Sequence, residues 1–177
     1  MQYFTIGNYA ISTLMGVLLF FTPSVPANLA VPPGNKQLLH VFAKGTQIYR
    51  CTRDKTDSTH FSWTFIAPAA DLYKDANYRH PVGRHYAGPT WESTDGSKVT
   101  GAKLQQADAP KPDAIPWLLL RASSTTGSGI FTKTTFIQRL NTAGGKAPAT
   151  IADQAHEGQE IQVPYTAEYF FYQAADR

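Results

Sequence analysis

The sequence predicts an all-β fold: a single antiparallel β-barrel or β-sandwich domain with long irregular loops. Three observations predict it. Apolar residues recur with a period of two in segment after segment, the spacing that puts alternate side chains on one face of a strand. These segments lie about ten residues apart with Gly, Pro and Asp between them, the rhythm of antiparallel strands joined by turns. Beyond the N-terminal segment, no stretch carries a sustained apolar stripe of helical period.

Taken in order, residues 28–36 hold Pro32, Pro33 and Gly34 and read as an extended lead-in. Gln37–Ala43 alternates, with Leu39, Val41 and Ala43 on one side and His40 and Phe42 on the other. Lys44-Gly45 reads as a break, and Thr46–Thr52 as a second strand with Ile48 on one face and Tyr49 and Cys51 on the other. Arg53–Thr59 is a polar loop. Phe61–Ala67 puts Phe61, Trp63, Phe65 and Ala67 on one face. Pro68 reads as its stop, since proline cannot donate to a ladder. Residues 69–83 read as irregular, with a short strand at Leu72-Tyr73.

Arg84–Ala87 and Thr90–Ser93 read as short strands parted by Gly88-Pro89. Asp95-Gly96 suits a two-residue hairpin turn because both residues tolerate positive φ, which pairs Trp91 with Lys98–Gly101. Residues 102–114 read as a loop with one helical turn at Ala102–Ala107. Ile115–Ala122 is apolar on both faces through Trp117-Leu118-Leu119-Leu120, as a strand covered on both sides is. Ser123–Gly129 is a polar turn segment. Ile130–Leu140 then alternates, with Phe131, Ile137 and Arg139 on one side and Ile130, Phe136 and Leu140 on the other. Asn141–Pro148 is rich in turn residues. Gln159–Gln173 closes the domain, with Tyr165, Ala167, Tyr169 and Phe171 on one face and Phe170 and Tyr172 on the other.

A chain of 177 residues is one domain by size, and 16% charged against 42% hydrophobic residues is the balance of a packed chain, not a disordered one. The net charge of +3 comes from scattered basic residues with no block among them, which excludes a nucleic-acid-binding class and leaves weak attraction to anionic surfaces. Residues 1–27 read as a secretory signal peptide. Ala10–Phe21 is an apolar run of signal-peptide length, short for a bilayer span, and Val25-Pro26-Ala27 offers small residues before a cut after Ala27. No Lys or Arg precedes the run, so a leader retained as an anchor is the rival reading. The expectation is a secreted or periplasmic domain over residues 28–177, with no membrane span once the leader is removed. Cys51 is the sole cysteine. It has no partner for an intramolecular disulfide and reads as a buried thiol or an intermolecular one.

Five stretches carry a resemblance: Gly45–Cys51, Arg84–Ser97, Ile115–Leu119, Gln138–Gly145 and Val163–Tyr172. In order through nearly all of the chain after the leader, they resemble the DUF3455 family of exported bacterial and fungal proteins. The resemblance implies one fold unit and a secreted habit, and brings no reaction with it. In that family a second cysteine often follows the Gly144-Gly145 segment. Here Pro148–Asp153 has none, so a family disulfide is not expected.

The segment Arg84–Ser97 holds the acid–base candidates His85, Glu92 and Asp95. A histidine exchanges protons near neutral pH, and a carboxylate can hold its tautomer. Glu92 directly follows Trp91, so on a strand the two face opposite ways: if Trp91 faces the interior, Glu92 faces out. His40, His60, His80, His85 and His156 include no pair at i, i+2 or i, i+4, so no metal site is expected, and no motif calls for a cofactor. Cys51 has Arg50 and Arg53 nearby, but Arg50 faces oppositely, so a nucleophilic thiolate is not expected. Gly127-Ser128-Gly129 is a turn and not a serine elbow, and Gly144-Gly145 lacks phosphate-loop spacing.

The aromatic content is the strongest lead. Tyr49, Trp63, Trp91, Trp117, Tyr165, Tyr169 and Tyr172 all fall in predicted strands. In a barrel, such rings plus one buried arginine either fill a dry core or line a pocket for a small amphipathic or anionic ligand. Arg139 and Arg121 are the candidate cations, and His85, Trp91, Trp117 and Arg139 the expected pocket. Three functions follow: a non-enzymatic small-ligand-binding or cell-envelope-associated protein, an enzyme using His85 with Glu92 or Asp95 on a small ring substrate, or a structural domain interacting through an exposed strand Tyr165–Tyr172.

Overall fold

The computed structural model describes residues 25–176. Eight strands follow one another: β1 Asn35–Arg53, β2 Phe61–Tyr73, β3 Pro81–Tyr86, β4 Thr90–Ser93, β5 Lys98–Ala107, β6 Trp117–Thr126, β7 Thr134–Gly144 and β8 Glu160–Ala174. Each pairs antiparallel with the next, and β8 returns to β1 to close a barrel. Of the two expected architectures it is the barrel. Closure removes the free edges an open sheet would expose, and the closing seam is long, running from Asn35↔Ala174 to Arg50↔Glu160.

The period of two sets what faces inward. Val41 and Ala43 of β1, Leu72 of β2, Leu120 of β6, Ile137 of β7 and Phe171 of β8 are buried in the interior. Phe131 closes one end, carried by a 3-10 turn at Ile130–Lys133, where the sequence predicts strand. A second apolar layer lies outside the barrel. Residues 25–31 form a strap with a 3-10 turn at Ala27–Leu29, and Leu29 is fully buried against Trp117, Leu119, Leu140 and Phe170. Gln138 Nε2 donates to the Leu29 carbonyl at 2.7 Å and fastens the strap. This is why β6 and β8 are apolar on both faces. Of the expected leader, residues 1–24 lie outside the described residues, and Val25–Ala27 belong to the strap.

Lys44-Gly45 is no break: β1 runs through it, and a Cβ on Gly45 would lie 2.1 Å from the Ala69 carbonyl oxygen. The glycine is there to let β2 approach. Pro68 does not end β2 either. It sits where β2 has a neighbour on one side only, a position sheet prolines tolerate. The register slips by one residue at Ile66, so the inward face passes from Phe65 to Pro68, Ala70 and Leu72. Ala102–Ala107 is strand and not a helical turn. Its side chains are almost all exposed, so burial imposes no alternation on its sequence. The polar segment Ser123–Thr126 likewise extends β6. Finally, Tyr165–Tyr172 is not an exposed strand. β8 is paired on both sides, and Tyr165, Tyr169 and Phe171 are buried, which removes the interaction role assigned to it.

Candidate functional site: a cavity behind a window in the barrel wall

The β3–β4 hairpin is short. Its last pair is Tyr86↔Thr90; its ladder with β2 ends at Ala70↔His85 and its ladder with β5 at Thr90↔Thr100. Both neighbours run on past it. Phe61–Ala69 pairs only with β1, and Ala102–Ala107 only with β6. The wall therefore has a window, with Gly88-Pro89 as its sill. Behind it lies a cavity of about 460 Å³, inside the range of roughly 300–1,000 Å³ usual for small-molecule sites. Phe65 and Ile66 from β2 and Lys103 and Gln106 from β5 form the rim. Phe65 and Ile66 are 48% and 42% exposed, so the rim presents apolar surface to solvent.

The floor is aromatic. His85 and Trp91 are opposite partners in the β3–β4 ladder, and their rings stack at 4.3 Å and 7°. Tyr169 stands edge-on to both, at 5.1 and 5.3 Å. Trp91 then meets Phe171, and Phe171 meets Phe131, so a column of rings fills the barrel from the floor to its closed end. Gly101 makes room for the indole: a Cβ there would lie 3.1 Å from Trp91 Cζ3. His85 Nδ1–H donates to the Thr90 carbonyl at 2.9 Å, which leaves Nε2 as an acceptor. Burial, helped by the Arg139 charge, pushes the imidazole pKa down to about 3, so the ring is neutral at physiological pH.

Arg139 of β7 faces the same cavity. Its Nε and Nη2 donate to the Pro116 carbonyl at 3.1 and 2.9 Å. Among the described residues no carboxylate forms an ion pair with it. Burial raises the phenol pKa values of Tyr49, Tyr165 and Tyr169 above the ordinary 10 while the guanidinium opposes the shift, so all three stay protonated donors. Tyr49 donates to the Gly145 carbonyl at 2.6 Å. The Tyr165 hydroxyl lies beside the Tyr169 hydroxyl and the Gln47 amide, and the Tyr169 hydroxyl beside Arg139, near enough to interact but without well-formed hydrogen bonds; Trp91 Nε1 has no partner, and all of them are buried. Gln47 and Tyr169 line the cavity with Trp91.

Of the expected pocket residues, His85, Trp91 and Arg139 converge on this cavity. Trp117 does not. The inward positions of β6 are Leu118 and Leu120, so Trp117 faces outward and lies under the strap. A run apolar on both faces carries no signal of which face is which. Arg121 is exposed. The acid–base pair is not assembled. Glu92 faces outward, accepts from the Tyr86 hydroxyl at 2.9 Å and sits 3.6 Å from both Arg84 and Lys98. Asp95 caps the β4–β5 turn. It accepts from Ser97 N at 2.8 Å and Ser97 Oγ at 2.6 Å within the turn, and from Ile130 N at 2.8 Å, which ties the turn to the 3-10 turn that carries Phe131. These bonds hold its pKa at about 2. His85 thus has a backbone carbonyl where a catalytic dyad would have a carboxylate.

His40, His80 and His156 each pair with one carboxylate: Glu168 at 2.8 Å, Asp75 at 3.0 Å and Asp153 at 2.6 Å. Among the described residues no three His, Cys, Asp or Glu side chains converge as a metal ion would need. Cys51 is a buried free thiol, 3.6 Å from the Asp153 carbonyl oxygen, beside the very segment in which a second cysteine is missing. Gln47 and Leu118 are cavity residues the sequence reading passed over. For Gln47 a signal existed: it shares the inward face of β1 with Tyr49 and Cys51.

Together these features define an up-and-down eight-stranded β-barrel with an interior cavity open through its wall. The chain belongs to the DUF3455 family, described as a protein of unknown function, whose model matches residues 32–173, the barrel from β1 almost to the end of β8. No curated protein and no solved structure matches it.

Proposed function

We propose that the protein is an exported, non-enzymatic barrel that binds a small amphipathic molecule in the cavity behind the β2–β5 window. The carrying observation is the mixture on the cavity wall: apolar surface from Ile115, Leu118 and Leu120 beside the buried polar groups of Gln47, Trp91 and Tyr169, which are left without well-formed hydrogen bonds. A buried donor left without a partner costs about 1–3 kcal/mol, so a packed core gains nothing by keeping several, whereas a binding site recovers the cost when occupied. Export rests on the leader-like residues 1–27.

The test uses N-phenyl-1-naphthylamine, a neutral dye that brightens in apolar surroundings. Wild-type protein should raise its emission saturably. Leu118→Trp, which fills the cavity from its wall, should lose that response while keeping the β-sheet circular dichroism of the wild type. The reading fails if the wild type gives no saturable rise, or if Leu118→Trp binds the dye as well as the wild type does.

A further inference from the structure

Four of the buried polar atoms left without well-formed hydrogen bonds cluster on the Arg139 side of the barrel interior and share one property. Trp91 Nε1 and Gln47 Nε2 are donors only, and the Tyr165 and Tyr169 hydroxyls, kept protonated by burial, can donate. All four residues are at least 97% buried. Beside them stands Arg139, a half-buried guanidinium with five N–H groups and no carboxylate partner among the described residues; its Nη1 donates to no protein group there. Of the four residues, Gln47, Trp91 and Tyr169 line the cavity with Arg139, and His85 Nε2 is the acceptor among the floor rings; donors that predominate around one cation call for a ligand with acceptors and negative charge. One guanidinium balances one negative charge, and a second charge taken inside would go uncompensated. The fork of a guanidinium also matches a carboxylate in plane and spacing. One side of the way in is apolar, formed by Phe65, Ile66 and Leu118, and the other carries Lys103 and Gln106.

We infer that the cavity takes an amphipathic monocarboxylic acid, its carboxylate inward on Arg139 and the donors of Trp91 and Tyr169, its apolar body against Leu118 and the Phe65–Ile66 rim. This rests on the cavity being a binding site and adds the charge and orientation of what it binds. The neutral His85 contributes no charge. Lys103, at the rim and hydrogen-bonded to Gln106 Oε1 at 3.0 Å, draws anions to the window without reaching the floor.

Three molecules of one shape decide the matter: 4-phenylbutyrate, 4-phenylbutanol and 4-phenylbutylamine, titrated directly into the full chain by calorimetry at pH 7. The carboxylate should bind more tightly than the alcohol by about ten-fold or more, as a hydrogen-bonded charge requires, and the amine most weakly. Arg139→Gln should abolish the preference for carboxylate over alcohol, and Arg139→Lys should keep part of it. Equal binding of acid and alcohol, preference for the amine, or a preference that survives Arg139→Gln overturns the inference and leaves the cavity reading standing. A wild type that binds none of the three, nor the neutral dye, overturns both. If Arg139→Gln fails to fold because it frees the Pro116 carbonyl, the wild-type ranking and Arg139→Lys still decide.

Discussion

Burial against Trp91 and Tyr169 keeps the His85 imidazole neutral down to about pH 3, whereas in the unfolded chain a histidine takes its proton near pH 6.5. Between those values the unfolded chain binds the extra proton, so stability rises with pH across the window and falls as pH drops from 6.5 toward 3. The whole effect is on the order of a few kcal/mol. His85 ring resonances should therefore stay flat from pH 8 to 4 in NMR, and a midpoint near the ordinary histidine value would contradict the buried stack. His85→Phe should make the loss of stability below pH 6.5 shallower. Trp91, 1% exposed at the floor of the cavity, is the larger structural stake. Trp91→Ala should cost roughly 3–5 kcal/mol in urea unfolding, and unchanged stability would show that the indole is not core.

Strands and turns carry their own constraints. In β1, Gly45→Ala would drive a methyl into the Ala69 carbonyl and the Ala70 Cα. Backbone cannot swing aside as a side chain can, so this one-carbon change should lower Tm by many degrees; a Tm within a degree or two of wild type would refute the close approach. At the β4–β5 turn, Asp95→Ala removes the acceptor of two bonds from Ser97 within the turn and of one from Ile130 N that ties it to the Ile130–Lys133 turn, and a fall in Tm of several degrees is expected at pH 7. Because the Asp95 pKa is depressed to about 2, its contribution is present above pH 4 and fades as pH falls toward 2, so wild type and Asp95→Ala should converge in acid. The strap is held chiefly by Leu29. Leu29→Ala should cost roughly 3–5 kcal/mol, the range for a fully buried leucine, and should shift part of the tryptophan emission to the red as Trp117 meets water.

The barrel as a unit depends on its last strand. β8 joins β1 and β7 along their lengths and supplies Tyr165, Tyr169 and Phe171 to the interior. Its pairing with β1 joins residues at opposite ends of the chain, so closure comes late and folding should be slow for the domain's size. With β8 in place, far-ultraviolet circular dichroism and tryptophan emission should report one coincident unfolding transition, as a single core demands. A chain ending before Glu160 should not give a seven-stranded remnant. It would bare the facing edges of β1 and β7, and an aggregated product is expected; a soluble, cooperatively folding truncation would show that closure is dispensable.

Strand composition was legible in the chain because burial on one face writes a period of two into it. That period groups the residues that share a face in β1, β7 and β8, and Asp95-Gly96 marks where β4 turns into β5, but the turn is wider than two residues: Ser93 N–H donates to the Ser97 carbonyl and only Gly96 takes a positive φ. The alternation Trp91-Glu92 likewise foretold that these two would part. What the chain could not convey was set by partners far away in sequence. Nothing local marks Ala102–Ala107 as strand, since with water on both faces no alternation is imposed. Nothing local says which face of Trp117–Leu120 looks inward, because the strap covers the other. Pro68 reads as a stop until β3 is seen to fall short of it, and that same shortness opens the window. The cavity follows from this: His85, Trp91 and Arg139 were recognisable as the right chemistry, but their convergence required the closed ring that brings β3, β4 and β7 round to face one another.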